Sequence, residues 1–251
     1  MTVTETSANR PRGRTRAIAT AAVVLGALVV LLSLGTWQVE RLFWKERLLE
    51  DIAERRHAPA VELSAVEAMH AAGEDIEYRP VSASGRFLNN GERHFFATFH
   101  GRSGYYIYTP LALADGRFVF VNRGFVPFEN KDPATRAAGQ LDGEQTVVGL
   151  ARAELLEKPS SLVPDNDPGK NIFYWKDLGV MAETDGLDRA KVLPFFIDAG
   201  NAANPGGLPI GGVTQFDLPN NHLQYAITWY GLALALVAVV SAAWLRGRRK
   251  S

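Results

Sequence analysis

The chain has 251 residues, 27 Lys and Arg against 27 Asp and Glu, five His and no Cys. Without Cys, disulfides, zinc knuckles, thiolate copper sites, redox CxxC pairs and covalent haem attachment are excluded. The neutral total hides an uneven distribution: residues 17–39 and 218–245 carry no Asp, Glu, Lys or Arg, which is not the pattern of an ordinary soluble globule.

Residues 1–16 form a basic tail with Arg10, Arg12, Arg14 and Arg16. The apolar run 17–39 follows, and as a helix it measures roughly 35 Å, enough to cross a ~30 Å hydrocarbon core. Ser33-Leu34-Gly35 offers a small-x-small cleavage site, but the apolar run exceeds a signal-peptide core and the helical pattern continues beyond it. The segment therefore reads as an uncleaved span. In the stretch 37–56, Trp37, Arg41, Trp44 and Leu48 share one helical face, Leu42, Leu49 and Ile52 widen the apolar stripe, and Pro59 ends it. This predicts an amphipathic extension of the first span that packs on its own domain.

From Tyr78 onward the texture becomes that of strands: Val81–Phe87, Arg93–Phe99, Tyr105–Leu113, Arg117–Val126 and Glu144–Ala151. Asp115-Gly116 and Asn90-Gly91 each signal a hairpin. A helix is expected around Lys176–Thr184, a strand over Val192–Asp198, and a last strand over Val213–Leu218. Residues 158–170 and 201–212 read as surface loops, and the glycines of GGLPIGG lack the Lys and Ser/Thr of a phosphate loop. The fold class is α+β: two transmembrane helices flanking one extramembrane domain, whose antiparallel sheet curls toward a barrel.

The second span is 225–245, with aromatics at both ends, and residues 246–251 form a second basic tail. Both tails are positive, so both belong in the cytoplasm with residues 40–224 outside, and an even number of spans gives the same answer. The tails carry +3 and +4 against a total of zero, so residues 40–224 carry −7, a charge that does not seek nucleic acid. A bacterial inner membrane, with the domain in the periplasm, is the simplest location. Gly231, Ala235, Ala238 and Ala242 form a small-residue stripe expected to pack against Ala22 and Gly26 of the first span.

Catalytic patterns are sparse. His94 and His100 lie at opposite ends of one strand, too far apart to share a metal, and no HExxH, HxH or GxSxG occurs. Glu74/Asp75 and Glu129/Asp132 stand in solvated stretches. His222 differs, because it enters the second span within the polar group Asn220, Asn221, His222 and Gln224. Two readings stand: an Asn-capped interfacial anchor, or a site for a membrane-borne ligand such as haem.

Several motifs stand in order along the chain. Leu34-Gly35-Thr36-Trp37-Gln38 precedes Arg41 and Trp44-Lys45, and Tyr78-Arg79-Pro80-Val81 leads to Gly85 and Phe87. Gly104-Tyr105 and Thr109-Pro110-Leu111 follow, then Val121-Asn122-Arg123-Gly124-Phe125-Val126-Pro127. Asn220, His222-Leu223, Tyr225-Ala226 and Thr228-Trp229-Tyr230-Gly231 close the series. With its two-span layout, this order resembles the surfeit-locus (Surf/Shy) family of cytochrome c oxidase assembly factors; Phe125 stands where the family usually has Trp. The resemblance implies a non-enzymatic role in assembling the oxidase's first subunit, with the haem a synthesis machinery and the lipid bilayer as further partners. It also implies transient haem a binding, for which His222 is the position, with Trp37, Trp229 and Tyr230 as rings to pack on the porphyrin. Gly35, Gln38, Arg41, Tyr78, Pro80, Gly85, Asn122, Arg123, Gly124, Asn220 and Tyr225 are then structural or partner-binding. A periplasmic membrane-tethered enzyme is the alternative.

Overall fold

The computed structural model describes residues 12–216 and 219–249, without the side chains of residues 12–14 and 17. The outer parts of both basic tails therefore lie outside the described residues. The first helix, α1 (Arg12–His57), runs unbroken from the basic tail through the span and its amphipathic extension. Its 46 residues correspond to roughly 70 Å. Ala58-Pro59 follows its basic last turn, where the proline cannot continue the helix.

A short strand β1 (Val61–Glu62) and helix α2 (Leu63–Ala71), neither foreseen from sequence, come next. The strands β2 (Pro80–Phe87), β3 (Arg93–Phe99), β4 (Arg102–Leu113), β5 (Phe118–Pro127) and β6 (Glu144–Ala153) follow. Helix α3 (Leu178–Thr184), strand β7 (Val192–Ala199) and helix α4 (His222–Arg248) complete the order. The sheet runs β1-β2-β6-β7-β5-β4-β3, and a further pairing of β2 with β4 closes β2, β6, β7, β5 and β4 into a five-stranded barrel. Closure occurs where Gly85, Arg86 and Phe87 face Leu113, Ala112 and Leu111. The expected curl is thus a complete barrel, and one of its pairs, β5 with β7, is parallel.

All five closed strands contribute to one core, which holds Val81, Ala83, Leu111, Val119, Val121, Ala151, Phe195 and Ile197, with Val66 of α2 packed into it. The opposite faces of β4, β5 and β7 bury Tyr108, Phe120 and Phe196 under Leu178 and Met181 of α3. Strands covered on both faces read as continuous apolar runs, which is why FVFV and VLPFFI show no alternation.

Three expectations need correction. Asp115-Gly116 does turn β4 into β5, but Asn90-Gly91 makes no hairpin: residues 89–91 form a 3-10 turn and β2 does not pair with β3. Instead β2 and β3 lie one after the other along the same edge of β4, facing residues 111–113 and 102–108 respectively. The unforeseen hairpin is β3–β4, turned at His100-Gly101 with φ of 48° and 76°, the left-handed pair a tight two-residue turn needs. No strand forms over residues 213–216, and Asp217 and Leu218 lie outside the described residues.

The chain divides into two compact units, residues 1–50 with 217–251, and residues 51–216. In the first, α1 and α4 are both long and apolar enough to cross a membrane. They do meet, but not through the expected stripe: Gly231, Ala235, Ala238 and Ala242 are exposed, and a Cβ at Gly26 would face open space. The face of α4 turned inward is His222, Ala226, Trp229 and Ala233, with both alanines 3% exposed. On α1, Trp37 and Trp44 are exposed, whereas Gly35 and Gln38 are buried.

Candidate functional site

In the helical unit the chain's first and last motifs meet. Gly35 lies under the Tyr230 ring, so that a Cβ there would come within 2.8 Å of it. Thr36 Oγ1 and the Tyr230 hydroxyl are 3.1 Å apart. One turn along, His222 Nδ1 lies 2.7 Å from Gln38 Oε1. A carboxamide oxygen only accepts, so Nδ1 donates and the imidazole lone pair is left on Nε2. Gln38 is buried and His222 half-buried.

The remaining residues expected here divide. Trp229 is half-buried on the same face as His222; Trp37 and Tyr225 are exposed. The Arg41 guanidinium stacks over Trp44 at 4.0 Å. Asn221 occupies the N-cap without a side-chain cap bond, and Asn220 Oδ1 accepts from the His222 amide at 3.4 Å. The capping Asn is therefore the one before the cap, at the long end of hydrogen-bond range.

In the barrel unit, Asn122, Arg123 and Gly124 sit at a bulge of β5. Tyr106 pairs with Phe125 and Tyr108 with Asn122, so Arg123 and Gly124 together oppose Ile107. Gly124 has φ 128°, and a Cβ would lie 2.0 Å from the Ile210 carbonyl, so no other residue fits. Arg123, turned inward by the bulge, donates to the Gly139 carbonyl at 2.5 Å and stacks on Phe87. Burial pushes its pKa down to about 10. Asn122 bridges two strands: its Nδ2 donates to Asp198 at 3.0 Å and its Oδ1 accepts from the Gly124 amide at 3.1 Å. Asp198 Oδ2 also accepts from Arg152 at 2.7 Å and Thr214 at 3.0 Å, and Arg152 reaches Glu77 at 2.7 Å. Tyr78, at φ 62°, places its ring under Arg152, and Pro80 opens β2 beside it. These motif residues hold the barrel's strand ends together.

The family model described as the SURF1 family matches residues 25–234, from within α1 to within α4. The chain belongs to the SURF1 family. Its relatives include "Surfeit locus protein 1" of Rattus norvegicus, 40% identical over 230 residues that cover 85% of this chain and 70% of that protein. The Homo sapiens protein of the same name is 36% identical over 242 residues, 90% and 77% of the two chains. A "SURF1-like protein" of Monosiga brevicollis is 35% identical over 242 residues, 90% and 87% of the two chains. The family match takes in both halves of the Gln38–His222 pair and the whole barrel.

Within this family fold the barrel unit holds a second buried ionic group, one not expected from the sequence. Arg136 grips Glu92 through two bonds of 3.0 and 2.5 Å, and Gln140 adds a third at 3.0 Å. Burial raises the Glu92 pKa, but the Arg136 bonds and charge, with His94 and Gln140 beside it, outweigh this and hold the carboxyl at about 2. Asp185 is the converse: burial lifts it to about 6 although Arg93 binds it. Isolated charges between aromatic and apolar residues, as in GERHFF, were the available signal. Among the described residues no group of three or more His, Asp or Glu is placed to hold a metal ion.

Proposed function

We propose that the chain is a membrane-anchored assembly factor for a haem–copper cytochrome c oxidase, and that His222 takes haem a on its way to the oxidase's first subunit. In this reading both termini are cytoplasmic, the barrel lies in the periplasm of a bacterial inner membrane, and the haem a synthesis machinery is the donor. The chain has no turnover of its own. Family membership supports the assembly role, and the bonding of Asn122, Asp198 and Arg152 to one another supports a structural rather than a reactive role for the barrel motifs.

The observation that carries the haem part is the Gln38–His222 bond. Metal-binding histidines commonly give their second ring N–H to an acceptor that fixes tautomer and orientation. Gln38 fills that place and leaves Nε2 as the donor atom, so His222 would hold haem through that nitrogen. Haem, when bound, would supply an iron that takes an imidazole nitrogen as ligand. Trp229 on the same helical face, with Trp37 and Tyr230, is the aromatic surface for the ring, and the lipid-facing helices suit a hydrophobic tail.

Complementation tests the proposal. Cells lacking this chain should regain oxidase activity with the wild type and show about tenfold less with His222→Ala, at equal membrane levels of the protein. Full activity with that variant removes the haem reading and returns His222 to a helix anchor. Oxidase assembly that does not depend on the chain at all removes the assembly reading.

A further inference from the structure

A cleft of about 350 Å³ opens beside the Asn122–Asp198 bridge, at the low end of the ~300–1,000 Å³ range of small-molecule sites. Phe95 and Tyr106 form one wall as stacked rings, 7° from parallel with centroids 6.3 Å apart, and the Tyr108 ring continues it. Arg152 and Lys176 bring positive charge to the lining. The two cations are not equivalent. Arg152 is committed to Glu77 and Asp198 at 2.7 Å each and to the Tyr78 ring.

Lys176 makes no ion pair or hydrogen bond among the described residues; its ammonium lies 5.4 Å from the Phe196 ring. Burial lowers its pKa, with the Arg152 charge adding to the effect, while Asp198 and Glu77 act against it. Lys176 is half-buried in the cleft wall and its ammonium has no protein acceptor, so it is free to pair with an incoming anion. Tyr106 stays a phenol, because burial and the Asp198 charge raise its pKa, and it offers a second donor in the same cleft.

The geometry points to a binding site for a monocarboxylate carried on a planar apolar body, with Lys176 taking the carboxylate and the Phe95–Tyr106 wall taking the ring. One uncommitted cation matches one negative charge. A phosphate dianion would bring a second charge toward Asp198 with no free cation to meet it. The cleft lies wholly within the barrel unit and is independent of His222.

Isothermal titration calorimetry on the full-length protein in detergent micelles, with benzoate, benzamide and inorganic phosphate as probes, tests this. Saturable benzoate binding is expected, with benzamide and phosphate each at least about tenfold weaker. Lys176→Met should weaken benzoate about tenfold, and Lys176→Arg, which keeps the charge, should restore most of it. Benzamide or phosphate binding as tightly as benzoate, unchanged benzoate affinity in Lys176→Met, or no saturable benzoate heat overturns the proposal. The comparison of probes needs no variant, so it decides the matter even where Lys176→Met weakens the fold.

Discussion

Gln38 and His222 stand 184 positions apart and meet through a single bond. Gln38→Leu keeps the volume and removes the acceptor, freeing the imidazole to rotate and change tautomer. Haem a content per protein should fall by roughly tenfold, the lower end for losing a ligand's supporting partner, while membrane insertion is unchanged. Haem stoichiometry from a pyridine haemochrome assay reads this directly. In the barrel, Glu92 has a folded pKa of about 2 against an ordinary 4.5, so it contributes stability above that ordinary value, on the order of 3 kcal/mol, and loses it as pH falls toward 2. Asp185, raised from 3.8 to about 6, has the opposite sign: its contribution is present at low pH and lost as pH rises through 6. Thermal melts against pH should therefore rise from 2 to about 4 and decline from there to about 6. Glu92→Gln should reduce the first slope and Asp185→Asn the second. The polar interruption of the apolar run at His222 was visible in the sequence. Glu92 was not, since its partner Arg136 sits in the loop 133–139 and reaches it only once the barrel has formed.

Elements were legible where local chemistry decides them and obscure where pairing is remote. The unbroken α1, most strand positions and the Asp115-Gly116 turn follow from periodicity and turn residues. Asn90-Gly91 misled because the same dipeptide serves a 3-10 turn when the next strand continues along one edge of β4. The parallel β5–β7 pair joins residues about 75 positions apart and leaves no local mark. Nor does a stripe of small residues say which face of α4 turns inward: Gly35, not Gly26, is the point of close approach. Gly35→Leu should push the Tyr230 ring away and separate Gln38 from His222 while leaving the barrel's melting temperature unchanged. The pyridine haemochrome assay should then show haem a content falling in Gly35→Leu as it does in Gln38→Leu. Gly124→Ala acts in the other unit, where positive φ and the Ile210 carbonyl both oppose a side chain. It should destabilise the barrel by at least about 2 kcal/mol in denaturant melts.

At the scale of the whole molecule, charge placement sets the expected orientation: basic tails on one side of the bilayer and residues 40–224, with their −7, on the other. Alkaline phosphatase fused after Leu150 should be active, and an inactive fusion would reverse the orientation. The proposed haem chemistry belongs to the helical pair, through Gln38 and His222, and the proposed carboxylate cleft to the barrel unit. The most direct test is the visible absorption spectrum of the full-length protein purified from cells that make haem a. The wild type should carry a haem a spectrum with a Soret band that His222→Ala loses at equal protein yield. A wild type free of haem a, or a variant with an unchanged spectrum, would contradict the claim that His222 is the ligand.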